Sequence, residues 1–185
     1  MNPRAAEISI ARAGEADLPN VRALAESIWR SSYAGLLSSE QIEYMLDRMY
    51  SPERLLQDWR SGVVFEWPVV DGVPVGYMAT QADATTRVMH LHKLYVLPGF
   101  QRKGFGGRLL EHAFLSATRA ECRSVRLHVN KGNLRAIACY RRHGFVEEAS
   151  VVNDIGGGYV MDDYVMVRLL DTLHGQSGPS LGGSR

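Results

Sequence analysis

The sequence predicts one α/β domain: a mixed, mostly antiparallel central sheet flanked by helices. Three observations predict it. Short apolar runs with period-two alternation recur along the 185 residues and are interleaved with stretches of helical spacing. Asp71-Gly72 joins two of these runs and is a hairpin signal, which makes the first half antiparallel. A strand, a glycine-rich turn and a helix start then follow one another around Gln101–Arg108, a connection typical of a mixed α/β order. The length suits a single core that buries roughly 70% of the unfolded surface, and no repeat or linker divides the chain. The domain is expected over residues 1–174. Residues 175–185 read as a Gly/Ser-rich tail, expected to be disordered.

The elements follow in order. Residues 8–12 form a short strand. Residues 15–29 form a helix, because Leu18, Val21, Leu24, Ala25 and Ile28 fall on one side. Residues 38–49 form a second helix, with Ser38 and Gln41 as a capping box. Ser51 caps a third, short helix with Pro52 in its first turn. Strands are expected at 63–70, 73–82 and 88–97. After the glycine turn, residues 109–118 continue an amphipathic helix. Val125, Leu127 and Val129 alternate in a strand over 124–129. Asn133 caps a helix over 134–143 that stops at Gly144. Strands at 145–152 and 164–170 complete the order.

The turn Gln101-Arg102-Lys103-Gly104-Phe105-Gly106-Gly107-Arg108 carries the strongest chemical signal. The first N–H groups of a helix lack partners within it, and its dipole favours negative charge there. Gly104, Gly106 and Gly107 remove side chains that would hold a phosphate off the backbone. Arg102, Lys103 and Arg108 add positive charge. Two phosphate loops do not fit. A dinucleotide fingerprint needs a third glycine where Leu109 stands, and a P-loop needs its lysine after the glycine, followed by Ser or Thr. A turn that binds nothing remains the alternative at this point.

The downstream segment resolves that choice. Gln101-Arg102-Lys103-Gly104-Phe105-Gly106 follows the strand Leu91-His92-Lys93-Leu94-Tyr95-Val96-Leu97-Pro98. Val129, Asn133, Ala136, Tyr140 and Gly144-Phe145 then stand at the spacing V-x-x-x-N-x-x-A-x-x-x-Y-x-x-x-G-F. The two motifs, in this order and separation, resemble the GNAT (general N-acetyltransferase) superfamily, and the resemblance spans residues 91–145. It implies the GNAT acyl-CoA N-acyltransferase fold and acetyl-CoA as acyl donor, with no metal. It places the diphosphate on the main-chain N–H groups from Gln101 to Gly107. The pantetheine arm then runs beside Leu94 and Val96 like an added strand. The Val96 N–H faces the thioester carbonyl, where it would stabilise an oxyanion.

The resemblance also implies roles for single residues. Tyr140 becomes the general acid that protonates the departing thiolate; packing of its ring on the sheet is the alternative. Asn133 holds an arm of the cofactor and caps its helix as well. An alkyl amine is only about one part in a thousand neutral at pH 7, so a base or water relay is useful. His90 and His92 lie on one strand and, by strict alternation, share a face with Leu94 and Val96. His90 stands where several members of the family carry a glutamate, and both histidines accept protons near neutrality. Glu66 is a further candidate. Trp29 and Tyr33 fall where the family builds its acceptor wall, or in the core. Asp162 and Asp163 beside the last strand either attract a cationic amine or end a hairpin in solvent.

The expected reaction is direct acetyl transfer to a primary amine of a small molecule, of polyamine or amino-sugar type. A protein N-terminus or lysine, and a non-catalytic acyl-CoA-binding module, are the alternatives. The formal net charge of +1 points to no nucleic acid and no acidic membrane. No apolar stretch approaches the ~20 residues that span a bilayer. The N-terminus lacks a secretory apolar core, and Cys122 and Cys139 have no metal spacing. A cytoplasmic protein with reduced thiols is expected, with room for a homodimer.

Overall fold

The computed structural model describes residues 8–170; the expected tail at 175–185 lies outside them. The chain runs β1 (Ile8–Arg12), α1 (Leu18–Ser32), α2 (Ser39–Tyr50), α3 (Pro52–Arg60), β2 (Val64–Val70), β3 (Val73–Pro74) and β4 (Gly76–Asp83). It continues with β5 (Val88–Val96), α4 (Phe105–Arg119), β6 (Ser124–Asn130), α5 (Leu134–Arg142), β7 (Val146–Gly156) and β8 (Tyr159–Leu169). One sheet runs in the order β1-β2-β4-β5-β6-β8-β7, with β3 beside β2. Each of these pairings is antiparallel except β5 with β6.

Local chemistry explains most boundaries. Ser38 and Ser51 accept hydrogen bonds from the backbone N–H groups of Gln41 (3.1 Å) and Arg54 (3.2 Å), so α2 and α3 begin where expected. The capping box is only half made, because the Gln41 side chain donates instead to the Val160 carbonyl at 3.3 Å. Asp71 and Gly72 both have positive φ (49° and 81°), the conformation of a tight hairpin turn. The expected strand at 73–82 is interrupted at Val75, giving the separate β3 and β4. The last hairpin is longer than expected. Gly156, Gly157 and Gly158 all take positive φ around its turn, so β7 ends at Gly156 and β8 begins at Tyr159, four and five residues past the expected bounds.

Side chains bury on both faces of the sheet. On one face α4 and α5 pack Leu109, Leu110, Ile137 and Tyr140 against Leu91, Leu127 and Met166. On the other, α1–α3 pack Val21, Ile28, Trp29, Leu46 and Leu55 against Phe65, Tyr77 and Ala79. No helix among the described residues is long and apolar enough to cross a membrane.

Candidate active site

The site is created where the sheet opens. β5 and β6 run parallel but pair only from Val88 with Ser124 to Leu91 with Leu127. Beyond that point the strands part, and a cleft of about 1540 Å³ runs through the gap between the two helical layers. A bulge marks the same place. On β4, Ala79 and Thr80 are consecutive, but their partners on β5 are Lys93 and Leu91, so His92 is the extra residue.

The bulge overturns one expectation. His90 and His92 do not share a face with Leu94 and Val96. The extra residue shifts the alternation, so Leu91, Leu94 and Val96 join the core under α4 while Lys93 and Tyr95 turn toward α1–α3. His90 and His92 line the cleft, with rings stacked 5.9 Å apart. His92 Nε2 and Gln81 Oε1 are 3.3 Å apart. Burial, then the Lys93 ammonium and His90, lower the His92 pKa to about 4. His92 is therefore neutral at pH 7.

The glycine turn lies at the opposite mouth. Gly104, with φ of 86°, caps α4 without a side chain, and the first helical bond runs from the Arg108 N–H to the Gly104 carbonyl at 3.1 Å. The N–H groups of Phe105, Gly106 and Gly107 precede that bond and are free for an anion. A Cβ placed on Gly104 or Gly106 would meet no protein atom within 4 Å. Arg102 and Arg108 line the cleft beside them. The residues present therefore fit a diphosphate.

Three residues of the turn are also constrained by packing. A Cβ on Gly107, which lines the cleft, would stand 3.0 Å from His143 Nε2. Phe105 is buried, edge-on to Phe100, and Lys103 lies 5.3 Å over the Phe100 ring; neither side chain lines the cleft. Gln101 holds the turn to the strand by donating from Nε2 to the Val96 carbonyl at 3.0 Å. That bond also shows which way Val96 faces. A strand residue points its N–H and C=O to the same edge. Leu97 donates toward β4 through the Val75 carbonyl, so the preceding Val96 N–H points to the open edge. Leu94, two residues earlier, is oriented alike.

Tyr140 is buried on α5 and lines the cleft, edge-on to Phe145. Burial raises its pKa, with the nearby Tyr33 hydroxyl and Cys139 thiol adding to the effect. Asn133 caps α5 by accepting from the Ala136 N–H at 3.2 Å, and it lines the cleft. Tyr33 and Tyr95 hydroxyls are 3.4 Å apart. Trp29 packs at 4.6 Å from Tyr33 and 5.7 Å from Tyr95 while lining the cleft, so it serves both wall and core.

The two acidic candidates fare differently from expectation. Glu66 faces α4, where His112 Nε2 lies 2.9 Å from its carboxylate, and it does not line the cleft. Asp162 pairs with Lys131 and is half exposed. Its neighbour Asp163 lines the cleft instead, because the longer β8 puts alternate residues on opposite faces. Asp163 is 1% exposed, and its Oδ1 is buried without a hydrogen-bond partner. Burial raises its carboxyl pKa, opposed by nearby His128. His128, Arg126, Cys139 and His143 also line the cleft and were not expected there. The alternation of 124–129 carried the signal for the first two, since their face is opposite Val125, Leu127 and Val129.

Residues 22–145 match the model of the acetyltransferase (GNAT) family. The chain belongs to this family. It is 27% identical over 160 residues to a spermidine N(1)-acetyltransferase of Thermoplasma acidophilum, covering 84% of this chain and 96% of that one. It is 33% identical over 138 residues to an uncharacterised N-acetyltransferase of Mycobacterium tuberculosis, covering 74% and 78%. Its fold superposes on the crystal structure of the PaiA N-acetyltransferase of T. acidophilum in complex with coenzyme A. The TM-score is 0.75 at 25% identity, and 89% of this chain and 99% of that chain are covered. The chain is an N-acetyltransferase with the GNAT fold. Cys122 and Cys139 are free thiols.

Proposed function

We propose that this GNAT protein transfers an acetyl group from acetyl-CoA directly to the primary amine of a small molecule. The observation that carries the reading is the joint geometry of the turn and the cleft. An uncovered helix N-terminus with open space over Gly104 and Gly106 faces the same gap that Tyr140 and Asp163 line. The coenzyme A complex of the PaiA relative supports the choice of donor.

Acetyl-CoA supplies an activated acyl group and a thiolate leaving group. The main-chain N–H groups from Phe105 to Gly107, with Arg102 and Arg108, would hold its diphosphate. Leu94 and Val96 would hold the arm by main-chain bonds along the open edge. The Val96 N–H is the donor best directed to stabilise developing negative charge on the carbonyl oxygen. Tyr140 carries its proton at neutral pH and lines the cleft, so it is the group to give a proton to the thiolate, although the burial that raises its pKa makes it a weaker acid than a free tyrosine. The amine enters from the α1–α2 side, past Tyr33 and Trp29. Asp163 attracts its ammonium form, and His90 is the group placed to take the proton. His92, already neutral, can accept a hydrogen bond.

The sequence suggested a polyamine or an amino-sugar. The T. acidophilum relative is named for spermidine, which favours the first. The cleft favours an acceptor with a single amino group, because among the described residues Glu111 and Asp163 are the acidic ones that line it and Glu111 lies on α4. The test is a free-thiol assay across polyamines, amino-sugars, amino acids and peptides. Turnover with small amines is expected. A preference for peptides would favour a protein acceptor instead. Thioester hydrolysis without any acceptor preference would leave only an acyl-CoA-binding module.

A further inference from the structure

A second, smaller cavity of about 200 Å³ adjoins the acceptor side of the cleft. Met45, Met49, Ile155 and Met161 line both spaces, so the two adjoin across apolar side chains. At the ~30 Å³ that a water occupies, the smaller one has room for several waters, or for a carboxylate or phosphate together with some of its hydration. Its remaining lining residues are all cationic: Arg48, Arg54 and Lys93.

Lys93 is the unusual member. The His92 bulge turns it from the edge of the cleft into the layer under α2 and α3. It is 7% exposed and sits 5.0 Å over the Tyr50 ring. Its closest carboxylate is Asp58, at 3.9 Å, outside hydrogen-bond distance. Asp58 is already committed to Arg54 Nε at 2.8 Å. One carboxylate therefore serves two cations. Arg48 reaches the neutral Tyr44 hydroxyl at 3.5 Å. Among the described residues the Lys93 ammonium has no hydrogen-bond acceptor, and burial of the side chain lowers its pKa. His92 feels the same positive field from Lys93 and Arg54.

We infer that this cavity is an anion subsite for the acceptor, and that the acceptor is a small primary amine carrying a carboxylate or phosphate at its far end. This rests on the acetyltransfer reading above and narrows its substrate. The cleft is bipolar. Asp163 presents an unpartnered carboxylate oxygen beside the reaction centre, and Lys93, Arg54 and Arg48, with the single carboxylate of Asp58 among them, present net positive charge beyond the shared methionines. An amine with an anionic tail completes both ends. A polyamine would place a second ammonium against Lys93, where like charges in a half-buried site repel.

The test compares matched acceptors: an ω-amino carboxylate series, aminoalkyl phosphates, the corresponding amino alcohols, and spermidine. The expected result is kcat/KM at least tenfold higher for an anionic member than for its neutral partner, through KM. The carboxylate and phosphate arms separate the two sources of the charge. In Lys93→Met the ratio between matched anionic and neutral acceptors should fall toward one. Arg54→Gln, at a side chain about half exposed, should lower the same ratio and covers the case in which Lys93→Met does not fold. Neutral amines and spermidine acetylated as well as, or better than, the anionic series would overturn the subsite while leaving acetyltransfer intact. No thiol release with any amine would instead overturn the reading it rests on.

Discussion

Gly106 offers a clean test of where the diphosphate sits. It is the second residue of α4, it lacks positive φ, and a Cβ there would meet nothing in the protein. Gly106→Asp therefore puts a carboxylate over the open N-terminus without backbone strain. Two unit charges about 4 Å apart repel by about 4 kcal/mol at an effective dielectric of 20. The site is half exposed, so solvent and salt remove part of this. About 3 kcal/mol remains, roughly 100-fold in Kd. The same aspartate should stabilise the free protein, because acidic residues in the first turn of a helix contribute about 0.3–1 kcal/mol. Weaker binding then cannot be ascribed to unfolding. Calorimetry with coenzyme A measures the effect, thermal melts check the fold, and Gly106→Asn separates bulk from charge. The asparagine variant should lose only a few-fold. An aspartate variant that melts no lower than wild type and binds within threefold of it would refute the placement.

Three further outcomes are expected. Tyr140→Phe should lower kcat by about 10²-fold or more while coenzyme A affinity stays within twofold; a normal kcat removes the proton donor. In His90→Gln the acidic limb of the kcat/KM profile should move, since His92, lowered to about 4, does not titrate between pH 5 and 8; an unmoved limb assigns the proton to water. Asp163→Asn should trade activity for stability. Burial raises the native carboxyl pKa above its unfolded value, so the stability this group contributes is full below the unfolded pKa of about 3.9 and is lost as pH rises through the native one. At pH 7 the amide should therefore melt a few degrees higher than wild type, with about 1 kcal/mol gained, and the gap should close near pH 4. KM for amines should rise in the same variant. Equal melting temperatures at both pH values would contradict an unpartnered charge at Asp163.

Much of the fold was legible because its boundaries are set by local chemistry. Ser38, Ser51 and Asn133 cap helices, Asp71-Gly72 turns a hairpin, and the periodicity of 8–12, 88–97 and 124–129 places three strands within a residue or two. The reach of β7 and β8 was not legible. Their outer halves carry Asn153, Asp154 and Asp162, which read as loop, yet the hairpin is held by ladder bonds and by Tyr44 Oη donating to the Ile155 carbonyl at 2.7 Å. That contact crosses 111 residues of sequence, and no local pattern announces it. Sequence alone paired Asp162 with Asp163; the longer strand separates them, with Asp163 lining the cleft and Asp162 half exposed beside Lys131.

The cofactor side and the acceptor side differ in legibility for a physical reason. A diphosphate would be bound by backbone, so glycines and their spacing suffice to propose the place, wherever the side chains of Lys103 and Phe105 point. Side-chain direction governs the acceptor side, and direction depends on register. One inserted residue, His92, inverts the face of everything after it on β5. Strict alternation would have set Lys93 against α4 and Leu94 beside the histidines. The bulge does the reverse, and it lies where β5 leaves β6. The irregularity that opens the sheet thus also buries a lysine on the amine side. A cation there works against a cationic substrate, unless that substrate brings an anion of its own to meet it.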